Sequence, residues 1–399
     1  MGGHAFEPDG LHTPRIPTGL YDQLKKNYAA ALAPFYQHTA YAEVLPDKST
    51  HGDVDILAEG PHVTTTTARI AAALNATAYK TNGRVTNYAV PHPTLPGAHV
   101  QLDVQLSPPG HLAWQTFFTS YGDLSQILGV VHRPLGLTAT DRGLHVRVPE
   151  IEPSNKKASM ILLTRDPLAV LAFLGLDAAR YVQRDFAGET DVFAWVAAAR
   201  FFDRYAVVPR GAERRPGNEN HNDRARRAKR GMYRRFVDEW VPANLEAGAD
   251  CKWTREMVLE EALEAFGKRT EYEARLMEHR ERLREDALWH AIKETVPRKG
   301  ESLALVIRGL KRWVSMDGGA LMLREEPLPE GKKCWVKELE KGGEGRVLKW
   351  VEEHWPYVQI KEKAWATLKK AQGTGSIVDA ATQEVKKICL DENSLVDKK

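Results

Sequence analysis

The chain has 399 residues, 43% of them hydrophobic and 27% charged, with a formal net charge of +3. These values are ordinary for a globular protein that buries one or two cores, and the net charge is too small to identify a partner. No window reaches the roughly 18 consecutive apolar residues of a membrane span, so a membrane partner is not expected.

Met1 to Pro17 is rich in Gly, Pro and His and has no apolar segment. It therefore reads as a flexible tail (1–16) and not as a secretory signal. Cys251, Cys334 and Cys389 are scattered without metal-ligand spacing, which points to a reducing, intracellular compartment (nuclear or cytoplasmic) and to neither disulfides nor zinc. Leu20, Leu24, Tyr28, Leu32 and Phe35 recur at helical spacing over Gly19 to Tyr36. After a polar turn, Asp53 to Leu57 alternates acid with aliphatic, as a strand with one polar face does. A threonine run opens a helix over Thr64 to Asn75, and strands are expected over Arg84 to Val90 and His99 to Ser107. A helical region begins near Gly110.

Past Val148 helical signals dominate. Asp166-Pro167 opens a helix that Gly175 ends, and Asp191 to Tyr205 is a second. Thr254 to Thr295 is long and charged with Gly267 as an interruption; Leu303 to Val314 and Val347 to Tyr357 follow. The downstream tryptophans read as packing for these helices. The expected fold is α+β, a small mixed sheet with helices followed by a mostly α-helical C-terminal region. The expected segments are the tail, 17–148 with the sheet, 149–330 mostly helical, and 331–399 as a helical extension.

Residues i and i+2 of a strand share a face, so Asp53 and Asp55 stand together while Val54 turns inward. Adjacent carboxylates repel unless a cation lies between them. Asp103 sits in a second alternating run, Val100 to Leu106. If the two strands pair, three carboxylates converge and can hold two Mg²⁺ or Mn²⁺ ions about 4 Å apart. The plain alternative is a solvated strand face. His51, a lone loop histidine beside this turn, is left out of the chemistry.

KSTHGDVDIL (48–57) resembles the Gly-Asp-hydrophobic-Asp-hydrophobic signature of family X (polymerase beta-like) nucleotidyltransferases. QLDVQLSPPGHLAWQTFFTSYGDLSQILGVVHRPLGLTATDRGL (101–144) is similar to the later part of the same family's palm and thumb: the third Asp, a Pro-containing turn, an aromatic-aromatic-Thr-Gly motif and a closing Gly-Leu. The resemblance covers about residues 41–147. It implies a nucleotidyltransferase palm with Asp53, Asp55 and Asp103 as catalytic metal ligands, Asp103 also orienting the attacking 3′-hydroxyl. It implies a nucleotide held by Lys48, Ser49, Gly52, Phe117, Phe118 and Thr119, with the phenylalanines beside the sugar; simple core packing is the other reading of that pair. Three departures stand out. Ala42-Glu43-Val44-Leu45-Pro46 replaces the triphosphate-binding Gly-Ser, with Lys48 and Ser49, or Arg84, as substitutes; Ser120 replaces the Gly after Thr119. Only about forty residues precede the motif, too few for the accessory domains of gap-filling repair polymerases.

Between Arg210 and Phe236 ten Lys and Arg face three acids. Arg224, Arg226, Arg227, Lys229, Arg230, Arg234 and Arg235 have the density to follow a DNA or RNA backbone, with Tyr233 and Phe236 as stacking surfaces. A nuclear-import signal and a solvated loop are equally compatible with the composition. The expectation is a metal-dependent transferase that moves a nucleoside monophosphate from a triphosphate to a hydroxyl, such as a nucleic-acid 3′ end, and releases pyrophosphate. The alternative is a catalytically weak relative that binds nucleic acid or a protein partner.

Overall fold

Leu24, Tyr28 and Leu32 form the buried face of helix α1 (Thr18–Leu32) in the computed structural model, which describes residues 3–208, 221–248, 251–328, 335–339 and 343–371. Pro34, which has no N–H to continue the ladder, ends the helix early, and Tyr36 falls instead in strand β1 (Tyr36–Ala40). Strand β2 (Val54–Pro61) and helix α2 (Thr67–Ala73) follow; the Thr66 hydroxyl caps α2 by accepting from the Arg69 N–H. Next come β3 (Ala78–Asn82), β4 (Val85–Pro91), β5 (His99–Leu106), α3 (Leu112–Thr119) and α4 (Leu124–His132).

The five strands form one mixed sheet in the order β1-β2-β5-β4-β3. Only β2 and β5 run parallel; the other neighbours are antiparallel. Alternation makes one face apolar. Val54, Ile56, Ala58, Tyr88, Val90, Val100, Leu102 and Val104 pack there with Tyr21, Leu24 and Tyr28 of α1 and Ile70 and Ala71 of α2. On the other face Glu59 accepts from the His111 and Leu112 N–H groups, so a β2 carboxylate anchors the start of α3.

The N-terminal residues are not a loose tail. Phe6 and Ile16 are fully buried, and the Lys80 ammonium lies 5.4 Å from the Phe6 ring centroid. The His99 N–H donates to His12 O at 2.8 Å, and Ile16 and Pro17 form a short ladder with Thr50 and His51. A segment without periodicity is fixed here by two buried side chains and by edge pairing.

The division of the chain also differs from expectation. It forms two units, Met1–Glu273 and Ala274–Lys399, whose boundary falls inside the helix Arg269–Thr295. A boundary at 148 fails because strand Met160–Thr164 completes a three-stranded sheet with Leu137–Thr140 and Gly143–Arg147. A Cβ at Gly143 (φ +136°) would sit 2.5 Å from Leu162 Cδ1 and 2.6 Å from the Thr164 carbonyl, so only glycine lets these strands meet. The helix Pro167–Leu174, capped by Asp166 and ended by Gly175 in the left-handed region, is as the sequence foretold. Gly267 does separate two helices, Arg255–Ala265 and Arg269–Thr295.

In the second unit a boundary at 330 fails for a similar reason. Trp335 shares a core with Leu288, Ile292, Leu310, Val351 and Val358. Helix Gly300–Trp313 leads into the hairpin Val314–Asp317/Ala320–Leu323, and Glu344–Ala371 forms one long helix. A Cβ at Gly309 would lie 2.6 Å from Val358 Cγ1, so these helices touch where only glycine fits. The buried Glu362 carboxylate accepts from Arg312 Nε at 3.0 Å and Trp313 Nε1 at 2.9 Å. Among the described residues no helix is long and apolar enough to cross a membrane.

Phe6→Ala is expected to destabilise the protein by about 3–5 kcal/mol, as removal of a buried aromatic does. Thermal unfolding checks this; a midpoint equal to that of the unaltered protein would return these residues to the status of a tail.

Candidate active site

The register of the parallel ladder sets Asp55 directly opposite Asp103, flanked by the pairs Val54–Leu102 and Ile56–Val104. Those aliphatic pairs are buried in the core, so both carboxylates stand on the opposite face, with Asp53 two residues before Asp55. The sheet thus brings the three expected acids together. Asn87, cross-strand from Asp103 on β4, donates to Asp103 Oδ1 at 2.5 Å, and Gln101 donates to the same oxygen at 2.9 Å. The Gly3 N–H donates to the Asp53 carboxylate.

The electrostatics record the crowding. Its deep seat, then the negative charges of Asp53 and Asp103, push the Asp55 carboxyl up to about 7, while the side chain stays open to cleft water. Burial also raises Asp53 and Asp103, against the hydrogen bonds that hold their ionised forms. The oxygen donors suit a hard divalent cation, whose charge would relieve this repulsion. Among the described residues, however, no three His, Cys, Asp or Glu side chains are gathered into a ready metal cage. Asp103 is turned to its two amides through Oδ1, which leaves Oδ2 as the oxygen a cation would take.

Asp53 and Asp55 line a cleft of about 780 Å³ with Glu43, Lys48, Thr119, Arg226, Lys229 and Arg230. Two of the three acids, Asp53 and Asp55, therefore share one cavity with bases from residues 226–230, while Asp103 does not line it. Ser49 and Gly52 do not line it; the Ser49 carbonyl accepts from the Thr18 N–H, and Gly52 lies against Gly3. Phe117 and Phe118 do not line it either. Phe117 is buried against Trp114 (5.3 Å between ring centroids) and Tyr181 (5.1 Å), and Phe118 stacks on Trp114 at 6.1 Å. The phase of α3 turns these rings into packing and leaves Thr119 at the cleft.

The basic residues divide. Arg230 pairs with Asp123 (3.0 Å), Arg227 with Asp238 (3.1 Å) and Arg235 with Glu189 (2.6 Å), and Arg226 Nε donates to Gln126 at 2.9 Å. Arg224, Lys229 and Arg234 are exposed. Arg210, Arg214 and Arg215 lie outside the described residues. Tyr233 and Phe236 are buried, which removes them as stacking surfaces for bases.

Tyr21 lines the cleft and was not singled out from the sequence. Tyr21 stacks on His51 with centroids 3.7 Å apart, and His51 is nearly inaccessible. Burial, reinforced by Lys48 and Arg15, lowers His51 to about 4, so it is neutral near pH 7 and binds no anion by charge. Glu43, which occupies the place of the expected Gly-Ser, is paired with Arg184 at 2.6 Å, and its N–H donates to the Ser120 hydroxyl at 2.9 Å. Glu43 and Ser120, 77 residues apart in sequence, are thus tied together. Gln101 had a usable signal, since it lies two residues from Asp103 on the same strand face.

No protein-family model matches this sequence, and no curated protein matches it. The geometry therefore carries the functional argument.

A carboxyl raised in the folded state stabilises fully below its unfolded value, near 4, and that contribution is lost as pH rises through about 7. Asp55→Asn is therefore expected to raise the metal-free melting temperature more at about pH 8 than at about pH 5. Calorimetry at both values checks this; an equal or opposite effect would mean that the three charges do not repel as described.

Proposed function

We propose that the chain is a metal-dependent nucleotidyltransferase, resembling the polymerase beta-like enzymes, that extends a hydroxyl acceptor, a nucleic-acid 3′ end, by one nucleoside monophosphate. The observation that carries this reading is the pairing of Asp55 with Asp103 across a parallel ladder, with Asp53 beside them. Three like charges kept together raise the free energy of the fold unless a cation joins them, which a purely structural strand face has no reason to do.

When bound, two Mg²⁺ or Mn²⁺ ions would activate the attacking hydroxyl and take up charge on the leaving pyrophosphate. The residues that would hold them are Asp53, Asp55 and Asp103. In this reading Asp103 orients the acceptor hydroxyl and takes its proton as the oxygen attacks the α-phosphorus. The bond from that phosphorus to the bridging oxygen breaks, and pyrophosphate leaves. Lys48 and Lys229, exposed cations on the cleft, are the groups placed to meet the triphosphate. Arg224 and Arg234, exposed on the same basic segment, are the candidates for a nucleic-acid backbone.

A second reading, a catalytically weak relative that binds nucleic acid or a protein, is favoured by one observation. The cleft edge at Ala42 to Val44 has no Gly, Ser or Arg to receive a triphosphate.

Incubation with each labelled ribo- and deoxynucleoside triphosphate, Mg²⁺ or Mn²⁺ and a panel of DNA and RNA oligonucleotides separates the two. Incorporation is expected, with a loss of about 100-fold or more in Asp53→Asn and Asp103→Asn, as when an essential electrostatic group is removed. No incorporation with any acceptor, together with no metal-dependent triphosphate binding, would leave the second reading standing.

A further inference from the structure

The hydrogen bonds of the N-terminal segment concentrate on the carboxylate cluster. The Gly3 N–H reaches Asp53, and two residues later the Ala5 N–H donates to Gln101 Oε1 at 2.9 Å. Gln101 is almost wholly buried and uses its other end, Nε2, to donate to Asp103 Oδ1. One side chain thus links a backbone amide of the segment to the third acid. Gly3 is held in a left-handed conformation (φ +83°), and a Cβ there would collide with the Gly52 carbonyl oxygen. A close approach of backbone to backbone beside Asp53 therefore depends on glycine.

The segment is held in place by contacts that do not involve the acids. The Thr13 hydroxyl donates to the Gly3 carbonyl, Lys80 Nζ donates to the Ala5 carbonyl at 3.0 Å, and Phe6 is buried between these ties. A strap needed only to cover a sheet edge gains nothing from ending on two mutually repelling carboxylates. Donors fixed on such groups fix their orientation, as outer-shell partners do for metal ligands.

We propose that the N-terminal segment is a working part of the carboxylate site: the amides of Gly3 and Ala5 position Asp53 directly and Asp103 through Gln101. This role rests on the metal-binding reading of the three acids. Gly3 and Gln101 are positioning residues, since neither touches substrate.

The test is Mn²⁺ binding by the whole chain, followed by electron paramagnetic resonance, for the unaltered protein, Gly3→Ala and Gln101→Met. Outer-shell losses weaken metal binding by about 10–100-fold, and that is the expected effect of each variant. Melting temperatures measured alongside show that each variant is folded. A strap with only a structural role would shift the melting temperature and leave the Mn²⁺ affinity alone. Unchanged affinity in either variant, with Mn²⁺ bound normally by the unaltered protein, overturns the proposal. Absence of Mn²⁺ binding by the unaltered protein instead overturns the transferase reading and removes this role with it.

Discussion

Asp55 and Asp103 face one another across a parallel ladder, and Asp53 adds a third negative charge two residues upstream. Two unit charges about 4 Å apart at an effective dielectric near 20 repel by about 4 kcal/mol. The surrounding structure reads as a response to that repulsion. Behind the acids, Val54, Ile56, Leu102 and Val104 lock the register into the core, so a slip of one residue would bury the charges. Around them, Asn87, Gln101 and the Gly3 amide supply donors, each worth about 1.5–3 kcal/mol when the acceptor is ionised. These donors offset much of the cost without removing it, and Asp55, which stays high, retains the residue.

The same constraint organises the cleft. Glu43 would add a fourth repelling charge, and Arg184 cancels it. Ser120 then ties the Glu43 backbone to the end of α3, while Glu59 holds the start of that helix. The Glu43–Ser120 link holds this edge of the cleft in place. Arg226 and Arg230, the latter paired with Asp123, form the basic wall of the cleft, and Lys48 and Lys229 line the same cavity.

Legibility in the sequence followed periodicity. Helix α1, strands β2, β4 and β5 and the capped helix at Pro167 carry clean alternation or clear end signals, and all were found where expected. The edge strands β1 and β3 were not foreseen, because exposed edges carry few apolar residues to mark a period. The three acids were legible through two-residue spacing, and their convergence needed only the pairing of two strands. Gln101 was legible by the same rule and was passed over. The N-terminal segment was not, since its fixation rests on isolated side chains, Phe6 and Ile16, that meet distant strands. Phe117 and Phe118 matched a motif in order and spacing, but the phase of a short helix decides which side chain meets the cleft, and it favours Thr119. The partners of Arg227, Arg230 and Arg235 lie on other elements, so a run of basic residues gave no sign that much of it is internally paired.

The central claim is that the three carboxylates hold divalent cations against a triphosphate. Crystals grown with Mn²⁺ and a non-hydrolysable nucleoside triphosphate, measured for anomalous scattering from manganese, address it most directly. Two peaks about 4 Å apart among Asp53, Asp55 and Asp103, with the triphosphate beside Lys48 or Lys229, are the predicted result. A crystal with ordered nucleotide elsewhere, or with no manganese among these three residues, would contradict it.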